Sequence, residues 1–77
     1  MLVSLNKDMY LTKIHGNTQI ESVWFNKNDI FKVIKTVSGT HTNIKYQTRF
    51  LLKENDVYTL TFTSPDQFSF FFRMLSK

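Results

Sequence analysis

The residues of this 77-residue chain that could perform chemistry are few, and their types narrow the reactions open to it. Two histidines, His15 and His41, and six acids, Asp8, Glu21, Asp29, Glu54, Asp56 and Asp66, supply all the candidate general acids, bases and metal ligands; there is no cysteine. His15 precedes Gly16 in a turn-type cluster, His41 falls in a second one, and the acids sit mostly in turns or at a helix start, where capping and solvation account for them. Without cysteine the chain has neither a thiolate metal site nor a disulfide framework. No phosphate-cradling glycine loop, metal-ligand spacing or nucleophile elbow occurs. The expectation is a protein that is not an enzyme and that uses no metal or cofactor, since catalysis needs groups converging in a pocket that so short a chain hardly forms.

The chemistry that remains is recognition. Lys45, Gln47 and Arg49 alternate along one run, and Lys32 is expected beside Arg49 on the neighbouring strand, with Thr36, Thr59, Thr61 and Thr63 on the same face and no acid among them. Alternate strand side chains stand about 7 Å apart, so lysine and arginine can follow a phosphate backbone while glutamine and threonine exchange hydrogen bonds with it or with bases. Lys32, Lys45, Gln47 and Arg49 are therefore the candidate contacts for nucleic acid or an acidic partner. The plainer alternative is a solvated sheet face kept charged against edge pairing. Stacking platforms for single strands are not expected on that face, because Tyr46, Phe50, Tyr58 and Phe62 alternate onto the other.

Charge agrees with an anionic partner: Lys and Arg number 10 against 6 acids, for a net +4 and a pI near 9.6. Alanine is absent, and the chain holds only two glycines and one proline, while Asn, Lys, Phe, Ile and Thr abound. GC-rich codons are avoided, which together with the short length points to an AT-rich source such as a phage or other mobile element. No run approaches the roughly 20 apolar residues of a spanning helix, and the start "MLVSLNKDMYLTK" has no basic region followed by an apolar one. The expected location is the cytoplasm, with no membrane partner.

Turn-type clusters at 15–18, 26–29, 38–43 and 53–56 divide the chain into β-branched and aromatic runs. Strands are expected at about 9–15, 18–25, 30–37, 43–53 and 57–63. For the last two, a three-residue loop 54–56 sets Leu52 opposite Tyr58, Phe50 opposite Leu60 and Thr48 opposite Phe62, with Asn55 or Asp56 in a left-handed conformation. For the hairpin before them, Val37 faces Ile44, Val33 faces Thr48 and Phe31 faces Phe50, which puts Lys35 inside near Tyr46. The first hairpin carries apolar residues on both faces, and its register stays open.

Ser64, Pro65 and Gln67 mark a helix start with a capping box, predicting a helix over about 65–76. Phe68, Phe71, Phe72 and Leu75 form the stripe that would cover the sheet, with Asp66, Ser69, Arg73 and Lys77 opposite. Phe70 and Met74, next to Arg73, project from the flank and are the candidate contacts with a partner or a second copy. The fold class expected is mainly β (α+β): a single domain, residues 1–77, built as a five-stranded antiparallel meander or small barrel capped by the helix. The leading functional expectation is a small non-enzymatic protein that occupies a surface of a host protein and modulates or inhibits it. A nucleic-acid-binding module and a subunit that self-associates through the helix are the alternatives.

Overall fold

The alternation of β-branched and aromatic residues with polar ones builds one antiparallel sheet, and the computed structural model describes residues 1–16 and 19–76 of it. The strands are β1 (Leu2–Leu5), β2 (Met9–His15), β3 (Gln19–Phe25), β4 (Ile30–His41), β5 (Ile44–Lys53), β6 (Asp56–Phe62) and β7 (Phe72–Ser76), with α1 (Pro65–Phe71) between the last two. They lie in the order β3-β2-β6-β5-β4-β1-β7 and curl into a half-barrel whose unpaired edges are β3 and β7. The domain is thus mainly β with one short helix, as expected, but it has seven strands where five were expected. It is also not a simple meander. The first hairpin swings across to pair β2 with β6, setting Thr12 opposite Thr59 and Ile14 opposite Val57.

The core fills the concave side. Val3, Leu5, Leu11, Phe25, Phe31, Leu51, Tyr58, Phe62, Phe68 and Phe72 are buried together. Phe25 sits edge-on to Phe31 at 4.9 Å and to Tyr58 at 4.8 Å, so sequence-distant strands are joined through aromatic rings. Burial is the main reason that the Tyr58 hydroxyl is held above its ordinary pKa near 10, and the Asp56 carboxylate adds to the rise. The unfolded chain therefore loses this proton first as pH climbs. Stability is expected to fall from about pH 10 upward, and Tyr58→Phe should flatten that fall in urea titrations across pH 9 to 11.

Registers differ from those expected, for local reasons. His41 faces Ile44 across a two-residue turn in which Thr42 (φ 49°) and Asn43 (φ 64°) are both left-handed, the geometry that matches strand twist in tight hairpins. The expected loop 38–43 is mostly strand. At the next turn Lys53 faces Asp56, and the left-handed residue is Glu54 (φ 58°) rather than Asn55 or Asp56. That one-residue difference sets Leu51, not Leu52, opposite Tyr58, and it exchanges the faces of β5. A bulge at Ile34 exchanges faces within β4 as well: Val33 faces Leu51 on the concave side, whereas Lys35 faces Phe50 on the outer side, not Tyr46 on the inner one.

The helix begins where expected, with the Gln67 side chain accepting from the backbone N–H groups of Thr63 at 3.1 Å and Ser64 at 3.3 Å. It ends at Phe71, however, because Phe72 is extended (φ −132°, ψ 145°) and starts β7. Seven residues are too few for a helix to be stable alone, whereas aromatic and β-compatible residues 72–76 satisfy their backbone by pairing with β1. Only part of the expected stripe is buried. Phe68 and Phe72 close the core and Phe71 is half-buried, but Leu75, on an edge strand, is exposed. Lys77, expected on the helix's polar side, lies outside the described residues, as does Thr18 at the start of an expected strand.

Candidate recognition surfaces

Face exchange decides where the expected basic site falls. Lys45, Gln47 and Arg49 stand on the concave side, opposite Thr40, Ser38 and Thr36, whereas Lys32 stands outside opposite Leu52. Thr59 shares Phe50's outward face. The four expected residues are therefore split three to one between the two faces. The three that stay together are linked: Arg49 Nε donates to Gln47 Oε1 at 3.2 Å, and Gln47 Nε2 donates to Ser38 Oγ at 3.4 Å. The Arg49 guanidinium lies 4.2 Å from the centre of the Phe68 ring, a cation–π contact that holds it in place. Beside it Ser38, Lys45, Tyr46, Gln47, Phe62, Thr63 and Ser64 line an open recess of about 130 Å³. This is well below the roughly 300–1,000 Å³ of small-molecule pockets.

The hairpin that carries Lys45 and Ser38 continues beyond this point as a projecting arm. β1 covers β4 only over Ile30–Lys32, and β6 meets β5 only from Gln47 onward. The far part of the β4–β5 hairpin therefore extends past both neighbours as a two-stranded ribbon. Gly39 lies under Tyr46, where any Cβ would come within 2.5 Å of the phenolic oxygen. An absent side chain there lets the cross-strand ring close over the backbone.

Phe70 and Met74 are both exposed, yet they do not form one helical flank, because Phe70 is in the last turn of α1 and Met74 is in β7. The backbone carbonyl of Phe70 is tied down by Asn6 Nδ2 at 3.2 Å, and Lys7 Nζ stands 5.9 Å from its ring centre. Arg73 is occupied locally, donating to Asn28 Oδ1 at 3.3 Å.

The surface that strand patterning did not anticipate is the outer face of the sheet. Ile20, Ile14, Val57 and Leu52 form a row in register across β3, β2, β6 and β5. Ile20 is 77% exposed. Four residues along from this row, Tyr10 and Trp24 meet edge to face at 4.9 Å, and both are exposed. Phe50, Val37 and Ile44 extend the apolar area over β5 and β4. Among the described strands no acid points outward, and Lys32 and Lys35 flank one side. The signal for this surface was the apolar content on both faces of the first hairpin.

His15 Nε2 meets Glu21 Oε2 at 3.0 Å across β2 and β3, and Lys13 Nζ meets Asp56 Oδ2 at 3.5 Å. Among the described residues no three His, Cys, Asp or Glu side chains gather as a metal site. No described helix is long and apolar enough to cross a membrane. No protein-family model, curated protein or solved structure matches the chain.

Proposed function

We propose that the chain is a non-enzymatic binding protein whose outer sheet face covers a surface of another protein. The observation that carries this reading is the outward apolar row Ile20, Ile14, Val57 and Leu52, exposed at Ile20 and half-buried at the other three, which runs across four strands with no outward acid among the described strands. Apolar area of this kind is unfavourable to leave in water and marks interaction surfaces on small domains. With Lys32 and Lys35 on one flank, the complementary partner surface is apolar with an acidic rim on that side. Tyr10 and Trp24 are the residue types that anchor such interfaces. The short length and avoidance of GC-rich codons favour a phage or other mobile element as source, and in this reading the target is a protein of its host's cytoplasm. The effect on that host protein is modulation or inhibition by occupying its surface. Phe70 and Met74 are a second exposed apolar pair, which this reading leaves at the edge of the contact.

Ile20→Glu is the variant that tests it. The side chain is exposed, so the fold is expected to stand unchanged by circular dichroism. Affinity for a protein captured from host lysate with the native chain is expected to fall at least tenfold, about 1.4 kcal/mol. Undiminished affinity in a folded variant would sink the outer-face reading.

A further inference from the structure

We infer that the β4–β5 ribbon binds duplex DNA, laying its concave-side residues Thr36, Ser38, Thr40, Lys45, Gln47 and Arg49 in the major groove. Charge is the first ground. Residues 30–53 hold Lys32, Lys35, Lys45, Arg49 and Lys53 and no acid, whereas all six acids lie in the rest of the chain and outnumber its remaining five cations. The positive charge that makes the protein basic is concentrated in one hairpin. A field so arranged steers a polyanion to that hairpin and away from the remainder.

Shape is the second ground. From Thr36 to His41 and from Ile44 to Arg49 the strands run six residues each, about 20 Å at strand rise, with β6 alongside only at Gln47–Arg49, the root of the arm. The far part of this arm is clear of β1 and β6. A two-stranded ribbon is one of the elements that B-DNA's major groove, about 12 Å wide, admits.

The third ground is the side-chain set. The concave side presents three cross-strand pairs in succession: Thr40 with Lys45, Ser38 with Gln47 and Thr36 with Arg49. Each pair joins a hydroxyl to a longer donor. Glutamine can pair with an adenine edge, lysine and arginine with guanine or phosphate, and hydroxyls with either. Stacking on Phe68 holds the Arg49 plane, and one bond to Gln47 fixes its orientation. A pre-positioned guanidinium loses little side-chain freedom on contact. These residues lie on the face opposite the outer apolar row, so this inference and the protein-binding reading can fail independently.

Fluorescence anisotropy with a labelled 20-base-pair DNA duplex tests it, with an RNA duplex of the same sequence and polyglutamate as comparisons. Binding with about three phosphates neutralised should weaken roughly 40-fold between about 50 and 200 mM salt. Lys45→Glu, at an exposed position, should weaken binding at least tenfold and lower the salt slope by about one, with the thermal unfolding curve unmoved. Thr40→Asp should also weaken it. Absence of DNA binding at about 50 mM salt overturns the inference, as does undiminished affinity in both variants. RNA duplex bound as tightly as DNA would rule out the groove, because the A-form major groove is too narrow for the ribbon. Displacement by polyglutamate as effective as by unlabelled DNA would make the ribbon a site for acidic polypeptide instead.

Discussion

Truncating Phe31 to alanine is expected to bring the domain to the verge of unfolding. Its ring is 1% exposed, stands 4.9 Å from Phe25 and 6.0 Å from both Tyr58 and Phe72, and thus joins β4 to β3, β6 and β7. Phe→Ala at such a site removes about 3–5 kcal/mol through lost transfer energy and the cavity left behind. At roughly 0.05–0.15 kcal/mol per residue, a chain of this size holds only about 4–12 kcal/mol in total. The urea midpoint should drop by about a quarter or more, whereas Phe31→Leu, which keeps most of the volume, should cost about 1–1.5 kcal/mol. An alanine variant with an unmoved midpoint would mean that the aromatic cluster is not the centre of the fold.

Glutamate at position 72 should abolish folding, while glutamate at position 75 should leave it nearly intact. Phe72 is 2% exposed, stacks on Phe68 at 5.0 Å and pairs with Leu5 in β1. A charge there has no partner, and burying it costs several kcal/mol. Leu75 is 44% exposed on the sheet edge, so its replacement should stay within about 0.5 kcal/mol. The contrast separates β7 from a continuing helix, in which the two residues would share one buried stripe. Comparable losses at both positions, read from urea midpoints, would restore the helix and remove β7.

Those two positions also show how far local pattern reaches in this chain. The helix start at Ser64 was readable because capping is local: a Gln67 side chain and the chain just before it suffice. Its end was not, because Phe72–Ser76 suits helix or strand and becomes strand through Leu2–Leu5, some 70 residues away. β1 itself carried no signal of its own, being four residues long and buried through contacts with β4 and β7 on either side. The candidate sites follow the same division. Phe70 and Met74 were recognised as exposed and are so, though on separate elements. Lys45, Gln47 and Arg49 were recognised as a set and remain one, but on the concave side and without Lys32.

From composition and alternation alone came the β-rich class, the absence of cysteine chemistry, the concentration of aromatics and the excess of cations, all of which are sums or near-neighbour properties of the chain. Which face each alternating set occupies required the folded molecule. A strand's side-chain period is two, so one residue more or less in a turn, or one bulged isoleucine, exchanges inside for outside along the whole strand. Two turns with left-handed Thr42, Asn43 and Glu54, and the bulge at Ile34, set those parities here. Pairing with distant strands then selected them, because only that choice brings Leu51 and Val33 into the core with Tyr58 and Phe31. The same selection turned the apolar row outward and gathered the cation-bearing ribbon on the other side.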